Sequence, residues 1–237
     1  MRYLAVVKVG CSFPETVVRL GDFEDWTVRG TGRTPPAVRV VDGLAPNLPA
    51  CAELAGAVVM GSHAMVSDRE AWSERVASWI RQLVAEGVPF LGICYGHQLL
   101  AHALGGEVGY HPAGPEIGTR AIERLPKAVG DPLFADLPTS FLGHTTHSQT
   151  VLRLPLDTVV LARNGHEPQH VIRVGACAWG VQFHPEFDEA VMADYVEAQA
   201  DHLRAHGQDP VAIRHAIRPT PIAAGVLRRF AALALGG

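Results

Sequence analysis

Residues Pro89 to Leu104 read PFLGICYGHQLLAHAL, and at their centre Cys94 stands between Gly92 and Gly96, where a strand-like run gives way to a helix-like one. A cysteine so placed is a candidate nucleophile. In a strand-turn-helix elbow the central residue occupies a tight turn, its neighbours must be small, and its side chain is pushed clear of the sheet edge. A helix starting near Gly96 aims backbone N–H groups back at the sulfur, which favours thiolate over thiol. Farther along, Trp179 to Phe187 read WGVQFHPEF, apolar apart from Gln182 until His184. This run predicts a buried strand that delivers an imidazole at its end, with Pro185 stopping the strand and Glu186 placed to orient the ring and hold its tautomer.

Taken singly, these signals are weak: an isolated buried cysteine is usually inert core, and His-Pro-Glu is a common tripeptide. The pattern Gly-x-Cys-x-Gly-x-Gln, however, arises by chance in a chain of this length with a probability on the order of one in a thousand. Its coincidence with the histidine strand favours Cys94, His184 and Glu186 as nucleophile, base and orienting carboxylate.

The segments Gly92-Ile93-Cys94-Tyr95-Gly96-His97-Gln98, Val181-Gln182-Phe183-His184-Pro185-Glu186 and Val59-Met60-Gly61-Ser62 resemble class I glutamine amidotransferase domains, in the style of the glutaminase portion of GMP synthase. With their flanking elements they span roughly Met1 to Tyr195. The resemblance implies Cys94 as nucleophile, His184 as base, Glu186 as its carboxylate, and the main chain at Gly61 and Tyr95 as oxyanion donors. It further implies Gln98 as a substrate contact and, in a Ser-His-Gly-Asp-like strand that here reads Thr146-His147-Ser148-Gln149, His147 and Ser148 as others. The implied reaction is hydrolysis of the glutamine side-chain amide through a cysteinyl thioester, giving glutamate and ammonia, with no cofactor.

Two departures bear on that expectation. Gln149 stands where the pattern has Asp, which removes a carboxylate from recognition of the substrate ammonium, and Ser62-His63 replaces the Gly-Pro often found after the oxyanion glycine. No Ser-Gly-Gly-x-Asp-Ser nucleotide loop accompanies the glutaminase motifs, so the expected ammonia acceptor is a synthase in trans. A hydrolase of γ-glutamyl amides or peptides and a non-catalytic binding module on the same fold are the alternatives.

Composition is that of an ordinary globular chain: 237 residues, 48% hydrophobic, 19% charged, net charge −4. Charges are interspersed and no basic stripe is present, which argues against a nucleic-acid partner. Four cysteines far apart in sequence favour a reducing, cytoplasmic setting over a disulfide scaffold. The short apolar run before Lys8 reads as a first strand and not a signal peptide, and no stretch reaches the roughly 18 apolar residues of a membrane span. A homodimer is an expected assembly. Among twelve histidines, the pairs His166/His170 and His202/His206 have i, i+4 spacing. Pro168 interrupts the first and no Cys-x-x-Cys accompanies either, so no metal site is expected, and His166 and His170 read as surface residues.

The elements that must position the site follow from periodicity. Tyr3 to Val9, Ala37 to Val41, Ala55 to Met60 and Val88 to Ile93 are apolar strands, and Ser12-Phe13-Pro14-Glu15 has the form of a capping box. Within Glu70 to Glu86, Trp72, Val76, Trp79, Ile80 and Leu83 recur at helical spacing. From Glu107 to about Gln182 the texture turns to short strand-like pieces broken by Pro, Gly and Asn. The expected fold is α/β: a mainly parallel, doubly wound, flavodoxin-like sheet with an antiparallel extension, in one domain over residues 1–237. Residues 207–237 form a C-terminal helical extension, with Val226, Phe230 and Leu233 packed on the sheet. Gly61 and Cys94 then fall at carboxyl ends of strands, where sites in such sheets lie.

Overall fold

Short apolar runs bounded by Gly and Pro become the strands, and longer runs with one apolar face become the helices. A computed structural model describes residues 2–236. The strands are β1 (Tyr3–Lys8), β2 (Val38–Asp42), β3 (Leu54–Val59), β4 (Phe90–Ile93), β5 (Glu107–Tyr110), β6 (Glu116–Arg124), β7 (Ser140–His147), β8 (Gln149–Arg153), β9 (Thr158–Arg163), β10 (Val171–Val174) and β11 (Ala178–Val181). The helices are α1 (Pro14–Leu20), α2 (Phe23–Thr31), α3 (Ala71–Ala85), α4 (Tyr95–Ala103), α5 (Glu189–Ala198), α6 (Ala200–Ala205), α7 (Pro210–His215) and α8 (Pro221–Leu235).

A 9-stranded sheet runs in the order β2-β1-β3-β4-β11-β10-β9-β6-β7. From β2 to β11 every neighbouring pair is parallel. From β11 outward every pair is antiparallel, so β11 is the seam between the two halves. Strands β5 and β8 make a separate antiparallel pair beside α4. The expected α/β architecture with its antiparallel extension is the observed one.

Alternate residues of β1 serve opposite faces, as strand geometry requires. Leu4 and Val6 join the core beneath α2 and α8, while Ala5 and Val7 join the core beneath α3 and α4. Parallel strands covered on both sides have no polar face, which is why their sequences are continuous apolar runs. Helix α8 is part of this core: Ala223, Val226, Leu227, Phe230 and Ala231 are buried, and the helix packs on α2, β1, β3 and β7.

One local expectation fails. Phe13, not Ser12, is the N-cap of α1, and no side chain caps that helix. Ser12 is drawn off by tertiary partners instead: its N–H donates to Asp22 at 2.8 Å and its hydroxyl lies 2.8 Å from the Tyr195 phenol. The capping box belongs to α2, where Asp22 and Asp25 cap reciprocally.

Because Phe230 is fully buried against Trp179 and the sheet, truncation to Ala should cost about 3–5 kcal/mol of stability, measurable by urea unfolding. A loss under about 1 kcal/mol would mean that α8 is an appendage and not core.

Candidate active site

Strands β3, β4 and β11 are neighbours in the sheet, and the chain leaves their carboxyl ends at Met60-Gly61, at Cys94 and toward His184. Three segments remote in sequence therefore meet at one edge. Cys94 adopts φ 49 and ψ −96, a left-handed conformation that costs a non-glycine residue on the order of 1–3 kcal/mol. The flanking glycines are steric necessities. A Cβ on Gly92 would lie 2.2 Å from the Gly96 carbonyl oxygen, and one on Gly96 would lie 2.2 Å from that of Val59. The Cys94 N–H donates to Val181 O at 2.8 Å, tying the elbow to the strand that delivers the histidine.

His184 is held from three sides. Its Nδ1 lies 2.7 Å from Glu186 Oε1, and its ring stacks on Phe187 at 4.1 Å between centroids, with Phe23 near-parallel at 6.3 Å. Nε2 is buried without a hydrogen-bond partner. Burial among these rings works against a charged imidazole, but the Glu186 carboxylate and the Cys94 sulfur outweigh it and push the His184 pKa up to about 10. The arrangement can hold a proton at the ring beside the sulfur and release it to a group that needs one.

The sulfur has further neighbours. Gln182 Nε2 donates to Cys94 Sγ at 3.5 Å, while Gln182 Oε1 accepts from Gln98 Nε2 at 3.1 Å. Gln98 Nε2 also donates to Gln149 O at 2.8 Å, so a chain of amides links the sulfur to the start of β8. Gln182 was the one polar residue in the otherwise apolar run before His184; that exception was the available signal for it.

A cavity of about 310 Å³ opens over Cys94. Met65, Gln98 and Gln149 line it, and so do Phe13, His63 and Tyr195, which pack with Phe23 and Phe187, the rings that flank His184. None of its lining residues is Asp or Glu. Gly61 sits against the imidazole: a Cβ there would come 3.0 Å from His184 Cε1. Tyr95 is the first residue of α4, where backbone N–H groups lack intrahelical acceptors, and its side chain turns away to hydrogen-bond Ser73 at 2.6 Å. Ser148 lines the cavity directly.

His147 is a different case. Its ring is buried, 2.9 Å from Gln149 O and 3.3 Å from Glu116, so only its main chain is free to face a ligand. Gln149 likewise spends its side chain on the loop before α3, donating to Ser67 Oγ at 2.6 Å. The reading of His170 as a surface residue is wrong. It is fully buried with Nε2 3.5 Å from Glu116, whose carboxyl burial pushes up and the His147 and His170 rings hold well below the usual range. The segment from Asn164 to His170 is a turn, as Pro168 dictates, and not the helix on which an i, i+4 histidine pair would share one face.

Comparison with known proteins agrees on one family. The family model for class-I glutamine amidotransferase matches residues 52–200. Among curated proteins, the GMP synthase [glutamine-hydrolyzing] of Aeropyrum pernix is 38% identical over 146 residues, covering 62% of this chain and 26% of that protein. Gamma-glutamyl peptidase 5 of Arabidopsis thaliana is 29% identical over 161 residues, covering 67% of this chain and 64% of the other. The chain thus spans about a quarter of the GMP synthase and about two thirds of the peptidase. A glutamine amidotransferase crystal structure from Thermotoga maritima superposes with a TM-score of 0.77 at 19% identity, covering 100% of this chain and 99% of that one.

The raised His184 pKa makes a signed prediction. The imidazolium contributes stability that is fully present below its ordinary value near 6.5 and is lost as pH rises toward about 10. In a Glu186→Gln variant the ring should lose its proton at lower pH, read from the His184 Cε1–H signal in an NMR titration. An unchanged midpoint would show that Glu186 does not set the charge.

Proposed function

The chain belongs to the class I glutamine amidotransferase family, and from that premise we propose that it hydrolyses the side-chain amide of glutamine through a thioester on Cys94. The Cys94 thiolate attacks the carbonyl carbon of the side-chain amide, the C–S bond forms, and the carbonyl oxygen takes up negative charge. Main-chain N–H groups at Gly61 and Tyr95 hold that oxyanion, each contributing about 3 kcal/mol to lowering the barrier. The C–N bond then breaks as the His184 imidazolium gives its proton to the nitrogen, and ammonia leaves. Water replaces it, surrenders a proton to His184, and attacks the thioester; glutamate departs and the thiolate is restored. Glu186 keeps the ring oriented throughout. Gln98, Ser148 and the main chain at His147 contact the amino-acid end of the substrate.

The observation that carries this reading is the buried His184 imidazole, bonded to Glu186 at 2.7 Å, beside a cysteine in a left-handed elbow. Ammonia would pass to a synthase, as the likeness to GMP synthase suggests. A second reading is a γ-glutamyl amide or peptide hydrolase that needs no acceptor. It is favoured by the larger share of the gamma-glutamyl peptidase that the chain spans.

Ammonia and glutamate release from glutamine, γ-glutamyl peptides and γ-glutamylamines separates the two readings. Cys94→Ala should fold normally and lower kcat by at least about 10⁴-fold. A diazoketone analogue of glutamine should label Cys94. Labelling at Cys11, Cys51 or Cys177 with Cys94 untouched would sink the proposal. Gln149→Asp should raise the rate with free glutamine; robust turnover by the purified chain, unchanged by that substitution, would remove Gln149 from any role in specificity.

A further inference from the structure

The part of the cavity beside His184 is where the amine must leave, since that imidazole has to reach the departing nitrogen. Three rings wall it. Phe13 lies 4.4 Å from His63 and 5.1 Å from Tyr195, and His63 lies 5.9 Å from Tyr195, all between centroids. Tyr195 is fixed in place, because its phenol lies 2.8 Å from the buried Ser12 hydroxyl. Phe13 is only partly buried and His63 is exposed, so these two rings, backed by the buried Tyr195, face open space.

Ammonia makes no use of such a wall. It is too small to cover three rings, whereas an apolar group attached to the nitrogen would bury itself against them. The wall also discriminates by charge. With no Asp or Glu lining the cavity, an amine carrying a second positive charge would be stripped of water without a counter-ion. The rest of the lining is furnished differently, with Gln98, Ser148 and the main chain at His147, which suit the amino-acid portion of a substrate.

We propose that Phe13, His63 and Tyr195 form a leaving-group subsite for γ-glutamyl amides whose nitrogen carries an uncharged, apolar or aromatic substituent. This rests on the reading that Cys94 and His184 cleave a γ-glutamyl amide. The chemistry is the same with ammonia replaced by a free amine: the C–N bond breaks, His184 supplies the proton to nitrogen, and water later releases glutamate from sulfur.

The test is steady-state hydrolysis by the full chain of three substrates: glutamine, γ-glutamyl benzylamide and the γ-glutamyl amide of a diamine. The benzylamide should be cut with the highest kcat/KM, exceeding the diamine amide by about tenfold or more. Phe13→Ala should lower the benzylamide-to-glutamine ratio about tenfold, mainly through KM. His63→Asp, at an exposed position, should shift preference toward the diamine amide. Hydrolysis of glutamine with no cleavage of the benzylamide would overturn the subsite and leave the glutaminase reading standing. A preference for the diamine amide in the unaltered chain, or ratios unmoved by both variants, would also overturn it. Failure to cleave any of the three, with Cys94 still open to alkylation, would overturn the amide-cleavage reading and the subsite together.

Discussion

Everything at this site depends on the backbone of one residue. Cys94 is held at a positive φ that its side chain disfavours, and nothing local to the elbow compensates for it. The compensation comes from the sheet: the Cys94 N–H is fixed to β11, the turn is packed against β3 with no room for a methyl group at Gly92 or Gly96, and α4 is anchored by its buried face. A conformation costing on the order of 1–3 kcal/mol is easily held by a core of this size, but only by the core as a whole.

The second constraint is electrostatic. A histidine wrapped by Phe23 and Phe187 would ordinarily be neutral, since burial penalises charge. Glu186 on one ring nitrogen and the sulfur beyond the other reverse that preference. The aromatic rings then strengthen the effect, because they keep out the water that would screen it. The same rings limit motion of the imidazole, so its position and its charge have a common cause.

What was readable in the sequence follows from how local each signal is. The cysteine elbow is specified by glycines two residues away on either side, and the histidine strand by its own apolar run and the proline that ends it; both were legible. Helix α3 announced itself through period-3.6 apolar spacing. Other features depended on partners far away in the chain. Ser12 looked like a cap until Tyr195 and Asp22 competed for it. His170 looked solvated beside Pro168, yet it lies in the interior, 3.5 Å from Glu116 on a strand distant in sequence. The amide chain from Gln182 through Gln98 could not be inferred from either segment alone, since it exists only once β11 lies beside β4.

The insertion of β11 between β4 and β10 also fixes when the site can exist. Until residues 178–181 are made, β4 is an open sheet edge, and the cysteine it carries has neither its backbone partner at Val181 nor an imidazole nearby. One late strand-pairing event, of long sequence separation and therefore slow, seals the edge and assembles the candidate site together. A nascent or partly unfolded chain consequently lacks this cavity altogether, and whatever binds there reports on completed folding.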